Sequence, residues 1–277
     1  MQEQTMQLWV IIAAAGASSR FQAAARAQGA DDHSRSKLDL ELGARPVLQR
    51  TVELFCNRAD VAGIVVAGPH EPGEFDAFKA RYADKLGLLG VRLVRGGRAH
   101  RYETVQAALA HVPASATHVA VHDGARPCTP PELIDRLLEA AQRHGAVIPG
   151  VPVADTLKRR GQPVTEDHAD PLSAILGDAP GAGGPSLHEV GGTVDRAGLV
   201  AVQTPQVFEA SLLRRAYEQA DLASTDDAQL VERLGERVVL VEGDARNVKI
   251  TQPQDLVLAR AILGVREAEG RAAHKRF

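Results

Sequence analysis

Aromatic residues make up only 4% of this 277-residue chain, cysteines number two, and neither charge sign dominates. Each scarcity removes a class of protein. So few rings leave little material for the stacking platforms that hold single-stranded nucleic acid. Cys56 and Cys128 cannot staple a chain of this size, so a reducing compartment and a cytoplasmic location are expected. The apolar run over residues 8–15 is too short to span a bilayer and lacks a basic segment ahead of it. Neither a membrane association nor a secretory signal is expected. Lys plus Arg total 32 against 35 Asp plus Glu, a net charge of -3. That balance argues against nucleic acid as a partner, while leaving room for a local basic pocket.

Several motifs are missing as well. No Gly-Lys-Ser/Thr stands at Walker-loop spacing, and the second and third glycines of the dinucleotide fingerprint are absent. No Gly-x-Ser-x-Gly elbow supports a serine hydrolase. The histidines and cysteines lack metal-ligand spacing, so no protein-built metal site is expected.

What is present is an alternation. Apolar runs at residues 9–15, 64–67, 91–94, 118–121, 146–148 and 238–241 read as buried strands. Residues 46–56, 104–110, 210–220 and 226–234 read as helices between them. Leu133, Ile134, Leu137, Leu138 and Ala141 share one helix face after a Thr129-Pro130 start. Strands alternating with helices predict an α/β fold with a mostly parallel sheet covered on both faces. Two polar stretches break the rhythm. Residues 22–36 follow the first strand, and the Gly/Pro-rich residues 161–193 are expected to form a flexible excursion. Their flanks, 153–159 and 193–203, read as strands of an arm leaving the main sheet, so the arm lies within about 152–203 of a single domain over 1–277. The basic residues 270–277 are expected to fray.

In an open α/β sheet, ligands sit at the carboxyl ends of the strands. The first strand runs into Ala14-Ala15-Gly16-Ala17-Ser18-Ser19-Arg20, with Lys37 beyond the polar stretch. Small residues there let backbone N–H groups approach a phosphate that Arg20 and Lys37 would neutralise. An Ala-rich turn with two solvent-facing cations is the ordinary alternative. Gly96-Gly97 closes the third strand ahead of Arg98, Arg101 and Thr104, as a plain turn or as a backbone cradle against a flat base. The fourth strand ends His122-Asp123-Gly124-Ala125-Arg126-Pro127, where Asp123 suits a ribose hydroxyl, a metal-bound water or a substrate hydroxyl. Asp155-Thr156-Leu157-Lys158, Thr193-Val194-Asp195-Arg196, Thr204-Pro205-Gln206 and Asn247-Val248-Lys249-Ile250-Thr251 follow, each weak alone. Thr251 reads as a helix cap before Pro253.

Taken in order, these motifs resemble the 2-C-methyl-D-erythritol 4-phosphate cytidylyltransferases of the non-mevalonate isoprenoid pathway, over roughly residues 8–264. The resemblance implies a Rossmann-like nucleotidyltransferase domain with a protruding β-arm for dimerisation. It implies attack of the sugar-alcohol phosphate on the α-phosphorus of CTP, release of pyrophosphate, and Mg²⁺ bound mainly through the triphosphate. Arg20 and Lys37 would stabilise the transition state, and Arg196 and Lys249 would position the attacking phosphate. Thr156, Thr204, Asp123 and Arg126 would contact the acceptor. Gly97 and Thr104 would read the cytosine edge, while Ala14, Ala15, Gly16, Asp123 and Gly124 would line the nucleotide. The implied assembly is a homodimer with shared active sites, because Arg196 lies on the arm. A relative acting on another polyol phosphate, such as ribitol 5-phosphate, shares most of these motifs, and a non-catalytic nucleotide-binding relative is the alternative from another class. The chain departs from the family pattern in four places. Ser18 replaces a second glycine, and Arg98 stands where an acidic residue is common. Lys37 follows about ten residues later than usual and the link after Lys158 is longer, changes that loop-closure entropy tolerates.

Overall fold

The computed structural model describes residues 6–16, 18–27, 36–164 and 187–266. It divides into two compact units, one of Met1–Val151 with Val202–Phe277 and one of Pro152–Ala201. The chain begins with β1 (Leu8–Ala13), α1 (Ser19–Ala27), a 3-10 turn (Lys37–Asp39), α2 (Val47–Cys56), β2 (Val61–Gly68) and α3 (Pro72–Gly87). It continues with β3 (Val91–Arg95), α4 (Arg101–Leu109), β4 (His118–Asp123), α5 (Pro131–Ala141) and β5 (Ala146–Pro152). Next come β6 (Leu157–Pro163), β7 (His188–Val194) and β8 (Val200–Val202). The larger unit closes with β9 (Gln206–Glu209), α6 (Ala210–Tyr217), α7 (Asp227–Arg233), β10 (Val239–Glu242) and α8 (Pro253–Leu263).

Along the path β10-β5-β9-β4-β1-β2-β3 of the main sheet, β9 is antiparallel to its neighbours and the other pairs are parallel. Strand β1 pairs with β2 on one side and β4 on the other, so the chain has wound outward in both directions from it. Such a reversal opens a crevice beyond the carboxyl end of the central strand. Alternation along β1 sends Leu8, Val10 and Ile12 to one face and Ile11 to the other, all fully buried. The first face packs against Phe55 of α2, Tyr82 of α3 and Leu137 of α5. The second packs against Val105 of α4, Leu213 of α6 and Val231 of α7. Burial of these two apolar layers is the main force fixing the sheet. Among the described residues no helix is long and apolar enough to cross a membrane.

The α/β reading holds, and several local expectations are corrected. Residues 22–27, expected as part of a polar excursion, are the body of α1. Alanine is the best helix former, and Phe21 and Ala25 bury one face of this short helix. The remainder of that stretch, residues 28–35, lies outside the described residues. Helix α4 begins at Arg101 rather than Thr104, because the Glu103 carboxylate accepts from the backbone N–H groups of Ala99 and His100 at 2.8 and 3.1 Å. Helix α8 is capped by Gln252 and Asp255 rather than by Thr251, whose hydroxyl donates to Lys249 O at 2.9 Å. The strands of the smaller unit lie at Leu157–Pro163 and His188–Val194 rather than at 153–159 and 193–203 and pair with each other, so part of the expected excursion is an antiparallel ribbon. Backbone pairing carries it despite the glycines, with Gly192 in a positive-φ conformation near a register shift. The expected flexibility of residues 165–186, like the expected fraying at 270–277, falls outside the described residues.

Candidate active site

Chain reversal at β1 gathers the carboxyl-end loops of β1, β3 and β4 around one cavity of about 370 Å³. Ala14, Ala15 and Gly16 follow β1, Gly97 follows β3, and Asp123 and Gly124 close β4. A Cβ on Gly16 would meet nothing within 4 Å, so that backbone faces open space. Gly97 is the opposite case. A Cβ there would stand 2.2 Å from Glu103 Cβ and 2.6 Å from Thr104 N, a gap only glycine fits. The Thr104 hydroxyl accepts from Gly97 N at 3.1 Å and so fixes this loop against the start of α4.

The charge lining the cavity is one-sided. Arg20, Lys37, Arg98, Arg101 and Lys249 face a single carboxylate, Asp123, among the described residues. Asp123 Oδ2 lies 2.8 Å from Lys249 Nζ and 3.3 Å from Arg126 Nε, while Oδ1 lies 3.3 Å from Arg101 Nε. Burial works against its charge, but Arg101, Lys249 and Arg126 more than offset that and hold its carboxyl below the usual range. Lys37 is placed oppositely. Burial and the nearby Lys249 ammonium pull its pKa down to about 8, with Asp123 opposing, and its Nζ donates to Ile250 O at 2.7 Å.

Behind this front lies a buried frame. The Thr204 hydroxyl accepts from Asp123 N at 3.1 Å and contacts His122 Nδ1 at 3.2 Å. His122 Nε2 lies 3.2 Å from Arg126 O, so a neutral ring protonated at Nε2 satisfies both contacts. Burial lowers the His122 pKa to about 4, consistent with that neutral form. Arg126 Nη1 donates to Asn247 O at 2.7 Å, and Asn247 Nδ2 donates to Thr204 O at 2.9 Å. Thr204 and Arg126 are therefore buried braces of Asp123 and Lys249 rather than cavity walls. Thr156 and Arg196 belong to the smaller unit, where both are exposed and Arg196 donates to Ala154 O.

Three residues had drawn no role from the sequence. Arg101 Nη1 donates to Asp227 Oδ2 at 2.6 Å, and Asp227, fully buried, accepts from the Tyr217 hydroxyl at 2.6 Å through Oδ1. Burial opposes the Arg101 charge, but Asp227 and Asp123 raise its pKa above the ordinary guanidinium value. An Asp-Asp pair opening a helix reads as a cap, and Asp226 does cap α7. Nothing local distinguishes Asp227 as the anchor of a cation 126 positions away.

The fold and this cavity define a doubly wound α/β protein with a cation-lined pocket at the switch point of its sheet. The chain belongs to the 2-C-methyl-D-erythritol 4-phosphate cytidylyltransferase family, whose profile matches residues 8–170 and 183–265. It is 38% identical to the 2-C-methyl-D-erythritol 4-phosphate cytidylyltransferase of Syntrophotalea carbinolica, covering 93% of this chain and 97% of that one. It is 41% identical to the enzyme of the same name from Rhodococcus jostii, covering 83% and 88%. The crystal structure of the Thermus thermophilus enzyme of that name aligns with a TM-score of 0.66 at 36% identity, covering 94% of this chain and all of that one.

Proposed function

We propose that this protein transfers the cytidylyl group of CTP to 2-C-methyl-D-erythritol 4-phosphate, giving 4-diphosphocytidyl-2-C-methyl-D-erythritol and pyrophosphate in isoprenoid biosynthesis. Family membership supplies the reaction, and the observation that carries it to this chain is the cavity lined by five cations against one carboxylate. That excess suits a triphosphate meeting a second phosphate.

An acceptor phosphate oxygen attacks the α-phosphorus in line as the bond to the pyrophosphate oxygen breaks. The protein makes no bond of its own, so positioning and charge stabilisation are its contribution. Arg20 and Lys37 take up charge that builds on the equatorial oxygens. Lys249, oriented by Asp123, and Arg196 hold the attacking phosphate. Thr156, with Arg126 and Thr204 behind Asp123, completes the acceptor site. Main chain at Ala14, Ala15, Gly16 and Gly124 follows the nucleotide, and the Gly97–Thr104 cradle takes the cytosine edge. In this reading a divalent ion would rest mainly on phosphate oxygens, with Asp123 the carboxylate at hand among the described lining residues. When bound, Mg²⁺ supplies further neutralisation of the triphosphate. Loss of either Arg20 or Lys37 costs the transition state about 3 kcal/mol.

The working unit in this reading is a homodimer in which the arm's Arg196 serves the partner's pocket. Mixing Arg196→Ala and Lys37→Ala chains restores activity if sites are shared, and no recovery despite proven subunit exchange counts against it. The function itself is tested by pyrophosphate release from CTP with 2-C-methyl-D-erythritol 4-phosphate and with ribitol 5-phosphate. A clear preference for the second acceptor, or CTP binding without release, overturns the reading.

A further inference from the structure

Ser18 carries a side chain in a conformation that favours glycine, with φ at 56°. It is buried, and its hydroxyl reaches across nineteen positions to accept from the backbone N–H of Lys37 at 3.3 Å. The same oxygen lies 3.3 Å from the hydroxyl of Ser36. Ser36 Oγ in turn accepts from Leu38 N at 3.3 Å and caps the 3-10 turn that opens at Lys37. Two serine hydroxyls thus join the loop after β1 to the segment that carries Lys37. At its other end the Lys37 ammonium is tied to Ile250 O.

We propose that Ser18 is a positioning residue for Lys37, its hydroxyl clasping the Lys37 segment to the loop after β1 and so holding the ammonium in the cavity. Glycine would adopt this backbone conformation without penalty, so the turn gives no reason for a serine; the two hydroxyl contacts do. The catalytic consequence rests on the cytidylyl-transfer reading, whereas the clasp itself rests on geometry alone. Four charged groups face the Lys37 ammonium: Lys249 and Arg20 repel it, and Asp123 and Asp255 attract it. Together with burial they leave its pKa near 8. Freed from the clasp, the ammonium moves toward water and its pKa climbs toward the ordinary lysine value.

The test uses the full chain with Ser18→Gly, which keeps the backbone conformation and removes only the hydroxyl. Steady-state pyrophosphate release from CTP and 2-C-methyl-D-erythritol 4-phosphate is expected to show kcat down about tenfold, with KM for CTP changed less than about twofold. Titration of the Lys37 Hε and Cε signals by NMR, in the ligand-free protein, is expected to move up by about one pH unit. Ser18→Asn tolerates the left-handed region and offers an acceptor oxygen, so it recovers part of both readouts. Ser36→Ala moves both in the same direction and carries the measurement if Ser18→Gly does not fold. Wild-type titration and turnover in Ser18→Gly overturn the clasp, as does lost activity with an unmoved Lys37 titration. A wild-type protein that releases no pyrophosphate sinks the functional reading instead, while the NMR titration still decides the clasp.

Discussion

Lys37 holds a cation where a cation is costly, half-buried beside Lys249 and Arg20. In the proposed reaction the protonated form stabilises charge on phosphorus, so kcat/KM for CTP, which reports the free enzyme, is expected to fall as pH rises above about 8. Bound triphosphate favours the ammonium, so kcat itself holds to a higher pH. A pH profile in which both limbs fall together at higher pH, near the ordinary lysine value, would remove Lys37 from this role. Stability moves the other way. Between about 8 and the ordinary lysine value the unfolded chain binds more protons, so this group adds stability as pH rises through that window. His122 gives a second window. Its folded pKa near 4 lies below the ordinary histidine value, so acidification across that interval destabilises the fold. Thermal midpoints between pH 7 and 4 are expected to fall, with a shallower slope in His122→Gln.

Helices and strand-end loops carry a different kind of prediction. Helix α4 presents Arg101 to the cavity, but α6 and α7 hold it there through Tyr217 and Asp227. Tyr217→Phe leaves a fully buried carboxylate short of one donor, and a urea midpoint is expected to report a loss of about 1.5–3 kcal/mol. The loop after β3 is constrained by shape. Gly97→Ala sets a Cβ 2.2 Å from Glu103 Cβ, so the main chain shifts and CTP affinity measured by calorimetry drops at least about tenfold. Unchanged affinity would mean that this loop does not touch the nucleotide. The elements that were legible in the sequence are those with a local signature. Apolar runs marked β1 through β5 and β10, and one-face periodicity after Pro130 marked α5. Strand β9 was not legible, because four residues between β4 and β5 have no period of their own. Nor was α1, because an alanine-rich polar segment suits a loop as well as a helix until Phe21 and Ala25 find a core to bury against.

Across the whole molecule, a near-neutral total conceals a concentrated charge. The chain carries -3 overall, yet its cavity sets five cations against one carboxylate. Salt screening should therefore act on the binding of CTP far more than on the fold. Raising ionic strength from about 0.05 M to about 0.5 M is expected to increase KM for CTP several-fold with kcat less affected. A KM insensitive to salt would argue that these cations do not meet the triphosphate. The sequence by itself determined the class of fold, the strand-end positions of Gly16, Gly97 and Asp123, and the cations Arg20, Lys37 and Lys249. All but Lys249 follow from hydrophobic period and from the rule that ligands gather where strands end, and Lys249 follows from the family resemblance. Only the tertiary structure decided that Thr204 and Arg126 stand behind Asp123, that Asp227 and Tyr217 anchor Arg101, and that Ser18 reaches Lys37. Each of those contacts joins residues brought together by the winding of the sheet or by an intervening segment, and no local pattern encodes such a distance.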